Sequence, residues 1–127
     1  MARILLIDDE TDLRTTVRMM LEQAGYEVVE ADNGLEGLRQ FEATAPDIVI
    51  TDLIMPDMEG IETIRKMKSL APATPIIAMS GGGRARRVDF LKAAKVLGAS
   101  RTLPKPFRRH ELLAAVQACL GAPGPAC

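Results

Sequence analysis

Three stretches of this chain are apolar, almost without interruption, over the length of one β-strand: Arg3-Ile4-Leu5-Leu6-Ile7, Ile48-Val49-Ile50-Thr51 and Pro75-Ile76-Ile77-Ala78-Met79. None alternates polar with apolar residues, and the β-branched run Ile48 to Thr51 reads as a strand buried on both faces, the kind found in parallel sheets. Parallel neighbours require a crossover element between them, and a helical period follows each run. After the first, Leu13, Val17, Leu21 and Ala24 recur on one face from Thr11 or Asp12 onward, with Gly25 just past the end. Tyr26 to Ala31 reads as a second strand and Asp32-Asn33-Gly34 as turn and cap. The helix that follows is predicted to turn Leu35, Leu38, Phe41 and Ala45 inward. After Ile48 to Thr51, the residues Ile61, Ile64 and Leu70 give the next helix its apolar side before Pro72 and Pro75 stop it. Beyond Met79 come the loose Gly81-Gly82-Gly83 segment and a cation-rich helix from Arg84 to Leu97, closed by Gly98. A short strand at Arg101-Thr102-Leu103 and a last helix from Phe107 to Leu120, buried through Leu112, Val116 and Leu120, complete the series.

Strands alternating with helices, joined by right-handed crossovers, predict a doubly wound α/β domain with a five-stranded parallel sheet and five helices. The expected strand order is 2-1-3-4-5, the flavodoxin-like one. The 127 residues suffice for one core without metal or disulfide staples, giving a single domain over 1–120 and a disordered tail over 121–127. A formal charge of −1 exerts no general pull toward nucleic acid or membrane. No apolar run is long enough to span a bilayer and no leader opens the chain, which places it in the cytoplasm. Cys119, in a helical pattern, and Cys127, in a Gly/Pro/Ala tail, read as a buried thiol and a frayed one rather than as a disulfide or a metal pair.

In such sheets ligands bind at the carboxyl ends of the strands. The first strand ends in Asp8-Asp9-Glu10, and the third ends on Asp52, after which Pro56 and Gly60 force a loop. In the expected order these strands are neighbours, so Asp8 and Asp9 fall beside Asp52, with Ser80 and Lys105 ending adjoining strands at the same edge. Three carboxylates there repel one another, and a hard divalent cation relieves the repulsion. Mg²⁺ suits one or two direct carboxylates, a loop carbonyl and several waters, whereas the lack of His or Cys nearby argues against zinc. Such a site can accept a transferring phosphoryl group: Asp52 attacks as a carboxylate, lysine and metal stabilise the equatorial oxygens, and an aspartyl phosphate results. Taken singly, Asp9 is a helix cap, Lys105 a surface lysine and Ser80 a turn residue; their coincidence at one sheet edge favours the site.

Asp8-Asp9 after the first strand, Asp52 followed by Met55-Pro56 and Gly60, Ser80 followed by Gly81, and Lys105-Pro106-Phe107 together resemble the receiver domain of two-component response regulators, over residues 2–120. The resemblance implies that Asp52 is the phosphorylation site and that Asp9, Asp52 and the carbonyl of Ile54 bind Mg²⁺, with Asp8 helping through water. It also implies that Ser80 and Lys105 contact the phosphoryl oxygens and that the Lys105-Pro106 bond is cis. The phosphoryl donor is then a histidine kinase or a histidine phosphotransfer protein, and the receiver catalyses only its own phosphorylation and dephosphorylation. The implied assembly is a monomer or weak dimer acting on an unknown output protein, with no membrane partner. A phosphorelay shuttle or a receiver cut from a larger regulator are the alternatives. An Asp-nucleophile phosphatase of the haloacid-dehalogenase type is the rival from another class, but that family wants a second Asp where this chain has Ile54.

In the resembling family, phosphorylation repositions an aromatic residue three positions before the lysine. This alters the face formed by the cation-rich helix, the fifth strand and the last helix. Here that position is Thr102, so the aromatic readout is absent and the switch is expected either to act through the Gly81–Gly83 loop and its helix or to be weaker. Arg84, Arg86, Arg87, Lys92, Lys95, Arg101, Lys105, Arg108 and Arg109, against only Asp89 and Glu111, make this half basic. Without a recognition helix or interleaved aromatics that basicity reads as a partner-protein surface or solvated helix, and no direct nucleic-acid contact is expected. His110 is expected to lie exposed at the start of the last helix rather than to act as a phosphodonor.

Overall fold

The computed structural model describes residues 2–52, 60–80, 99–105 and 107–121. Within them β1 (Arg3–Ile7), α1 (Thr11–Gln23), β2 (Glu27–Ala31), α2 (Gly34–Thr44), β3 (Ile48–Asp52), α3 (Gly60–Leu70), β4 (Ile76–Ser80), β5 (Arg101–Pro104) and α4 (Arg109–Gly121) follow one another. The five strands form one sheet in the order β2-β1-β3-β4-β5, every neighbouring pair parallel, as the apolar runs require. The predicted Arg84–Leu97 helix, the Gly81–Gly83 loop and the tail beyond Gly121 lie outside the described residues. Among the described residues, no helix is long and apolar enough to cross a membrane.

Because successive side chains of a strand point to opposite faces, each run feeds two cores. Ile4, Leu6, Ile48, Ile50, Ile77, Met79 and Leu103 pack with Val17 and Leu21 of α1 and with Leu112, Ala115 and Val116 of α4. Leu5, Ile7, Val49, Ile76 and Ala78 pack on the other side with Phe41 of α2 and with Ile64 and Met67 of α3. Thus β1, β3 and β4 are covered on both faces.

Two helices meet the expected faces only in part: Phe41 and Ile64 are buried and Leu38 packs against the second core as expected, but other positions differ. In α2 the residues turned to the sheet are Gly34, Gly37 and Phe41, while Leu35 is 50% exposed and Ala45 is the exposed, left-handed residue that ends the helix. Leu35 lies about 100° round the helix from Gly34, so the two candidate faces are neighbours and close approach decides between them. Gly37 rests directly on Ile7: a Cβ there would collide with Ile7 Cδ1 and lie 3.0 Å from its Cγ1. The face without side-chain bulk therefore sits against the strand. In α3, Thr63, Ile64 and Met67 are buried, but Leu70, about 120° round the helix from Ile64, is 56% exposed on the flank. Both leucines line an open groove between α2 and α3. Ala24 is likewise exposed, past the end of α1.

Cys119 is buried in α4, but it is disulfide-bonded rather than the free thiol the sequence suggests. The sequence reading weighed each cysteine by its local pattern, which carries no information about pairings formed in space; Cys127 lies outside the described residues.

Candidate functional site

Register brings the site together. β1 pairs with β3 through Leu6↔Ile50 and Ile7↔Thr51, so the next residues along, Asp8 and Asp52, come level at the carboxyl edge. Asp52 pairs with Met79, which puts Ser80 one residue further out; Ser80 pairs with Pro104, which puts Lys105 one further again. Asp8 and Asp52 thus leave their strands level, Ser80 one step later and Lys105 one step later again.

Asp8 is fully buried and Asp52 nearly so, positions at which an unpartnered carboxylate would be costly. Lys105 supplies the partner. Its ammonium donates to Asp52 Oδ2 at 3.0 Å and to Asp8 Oδ2 at 3.2 Å, bridging strands that are neighbours in the sheet but 44 residues apart in sequence. The other oxygen of Asp8 accepts the backbone N–H of Glu10 at 3.0 Å, and the Asp8 N–H donates to the carbonyl of Ala31 at 3.1 Å. Burial alone would push the Lys105 ammonium down, but the charges and hydrogen bonds of Asp52 and Asp8 outweigh it and hold the group above 10.5.

Asp9 is exposed, and Asp8, Asp9 and Asp52 each offer an oxygen within 4.8 Å of the others. A set made only of carboxylate oxygens fits a hard divalent cation and lacks the imidazole or thiolate donors of a zinc site. The acids and the lysine named from the sequence therefore converge. Ser80 closes β4 at the same edge. Ile54 and the Lys105-Pro106 bond lie outside the described residues. Thr102 pairs with Ala78 in the sheet and is half-buried, and His110 is exposed. Of the basic residues of this half, Arg101, Arg108 and Arg109 are exposed, and Arg109 donates to Gln23 of α1 at 3.3 Å.

Sequence reasoning missed Arg14. Its Nη1 donates to the main-chain carbonyl of Asp8 at 2.6 Å and its Nε to Glu30 at 3.1 Å, while Arg18 donates to the second oxygen of Glu30 at 2.7 Å. The available signal was a glutamate in the otherwise apolar Val28-Val29-Glu30-Ala31 strand opposite arginines one helical turn apart.

The response regulator receiver domain family model matches residues 4–117. The chain is 33% identical to the chemotaxis protein CheY of Listeria monocytogenes over 119 residues, covering 92% of this chain and 97% of the relative. It is 36% identical to the response regulator MprA of a Mycobacterium species over 97% of its own length, and spans about half (52%) of that longer relative. A response regulator receiver domain protein from Clostridium thermocellum superposes with a TM-score of 0.89 at 33% identity, over 95% of each chain. Family match, relatives and sheet order agree with the acidic edge built by β1 and β3, and the chain belongs to the response regulator receiver domains of two-component systems.

Proposed function

We propose that this receiver is a phosphoacceptor switch in which Asp52 takes a phosphoryl group from a histidine kinase or a histidine phosphotransfer protein. The observation that carries the reading is the Lys105 ammonium held between the buried carboxylates of Asp52 and Asp8, with Asp9 within reach of both. A carboxylate oxygen of Asp52 attacks phosphorus as the P–N bond of the donor phosphohistidine breaks; the electron pair stays on that ring nitrogen, and because the donor's other ring nitrogen carries a proton the leaving group is a neutral imidazole. Lys105 transfers its hydrogen bond from carboxylate to phosphoryl oxygen, and the Ser80 hydroxyl supplies a second donor. Asp8, Asp9 and Asp52, with the Ile54 carbonyl, would hold Mg²⁺. The metal supplies positive charge to the phosphoryl oxygens. Dephosphorylation is hydrolysis: a water oxygen bonds to phosphorus as the bond from the Asp52 oxygen to phosphorus breaks, the water's protons pass to the departing inorganic phosphate and solvent, and the Asp52 carboxylate returns. Beyond this cycle the domain turns over no substrate.

The signal leaves through the face containing β5 and α4 toward an output protein. Thr102, half-buried on β5, carries no aromatic ring to swing, so the readout does not run through an aromatic at that position.

Incubation with acetyl phosphate and Mg²⁺ tests the reading. The expected product is an acid-stable, base-labile adduct that Asp52→Asn abolishes. An undiminished adduct in that variant would move the site elsewhere, and steady hydrolysis of phosphate esters would favour a phosphatase instead.

A further inference from the structure

We propose that Arg14, held by Glu30, which Arg18 holds in turn, is a positioning residue that holds the Asp8–Asp9 peptide in the geometry a divalent cation needs. The metal part of this inference rests on the proposed function.

The last ladder bond of β1 is the Asp8 N–H to the Ala31 carbonyl, and beyond it the chain must turn sharply to start α1 at Thr11. Within that turn the Asp8 side chain is tied to Lys105 and to the Glu10 N–H. The peptide that joins Asp8 to Asp9 is held from the other side by Arg14 at 2.6 Å. A guanidinium on that carbonyl restricts the rotations on either side of the peptide, and with them the directions of both carboxylates. Arg14 is itself aimed: Glu30 accepts its Nε, and Glu30 is in turn held by Arg18. Outer groups of this kind, which touch no metal but orient those that do, commonly change metal affinity about 10–100-fold when removed.

A purely structural account would make this chain a clamp between α1 and β2. The Arg18–Glu30 pair at 2.7 Å already provides that clamp without Arg14. The bond from Arg14 to the Asp8 carbonyl reaches instead to the site, and the two roles are separable by mutation.

The test compares the full chain with Arg14→Ala and Arg14→Lys by three measurements: amide hydrogen exchange at Glu10 without metal, Mg²⁺ affinity by calorimetry, and Tm. Arg14→Ala is expected to speed Glu10 exchange and weaken Mg²⁺ binding about tenfold, with Tm close to that of the parent. Arg14→Lys, which keeps a donor for the carbonyl, is expected to recover most of the Mg²⁺ affinity. Parental exchange and parental Mg²⁺ affinity in Arg14→Ala would overturn the proposal. So would losses that track a fall in Tm and are as large in Arg14→Lys. Should the parent bind no Mg²⁺, the phosphoacceptor reading fails, and the Glu10 exchange rate alone decides whether Arg14 positions the turn.

Discussion

The two ends of the sheet each place a cation beside carboxylates at similar distances, with very different surroundings. At the amino end, Arg3 Nε lies 3.3 Å from Glu27, with side chains 38% and 48% exposed, and makes no hydrogen bond to it. The arginine is held mainly through its Nη1 bond to the Thr44 carbonyl and its backbone N–H to Asp47. At the carboxyl end, Lys105 lies 3.0 and 3.2 Å from Asp52 and Asp8, with side chains 14%, 10% and 1% exposed. Water screens the first pair and is largely excluded from the second. Charges left in water contribute little either way, whereas charges withdrawn from it depend on one another. Such dependence makes the carboxyl end sensitive to any charge brought beside it.

Removing Lys105 is the most severe way to break this contrast. Lys105→Met leaves two buried carboxylates without their cation and should cost about 2–3 kcal/mol in urea unfolding, with part of the loss restored by Mg²⁺. A loss below about 0.5 kcal/mol would mean that the carboxyl end is as well solvated as the amino end. Gly37→Ala probes the packing beneath the site, since the added methyl group presses on Ile7, the residue before Asp8. Overpacking of about 2 kcal/mol against a helix-propensity gain of about 1 predicts a net loss near 1 kcal/mol by the same measurement.

Titration sharpens the comparison with a smaller effect. The Lys105 pKa is raised in the folded protein, so its contribution is fully present below the unfolded value of 10.5 and is lost as pH rises through the higher folded value. Unfolding midpoints across that alkaline range should fall for the parent by more than for Lys105→Met. Glu27→Ala at the other end should change stability by no more than about 0.5 kcal/mol. A larger loss would show that exposure understates the coupling there.

The order of the sheet and the convergence of Asp8, Asp9, Asp52 and Lys105 were legible because both depend on where strands stop. An apolar run ends where the acids begin, and adjacency of the first and third strands then sets those acids side by side. The faces of α2 and α3 were less legible. Leu35 and Leu70 satisfy an apolar helical spacing as well as the residues that are actually buried, so spacing alone admits two neighbouring faces.

By itself the sequence determined the five strands and the four helices among the described residues, that the strands lie parallel, and that the carboxyl edge is acidic. These follow from local periods, from residues that cannot continue a ladder, and from the crossovers parallel strands require. Only the tertiary structure decided that Gly37 rather than Leu35 meets the sheet, that Cys119 is disulfide-bonded, and that Arg14 reaches the Asp8 carbonyl. Each depends on which surface or atom stands opposite once the chain has packed. At Gly37 the missing side chain permits close approach; at Asp8 the ladder ends and leaves a main-chain acceptor for an arginine on the neighbouring helix.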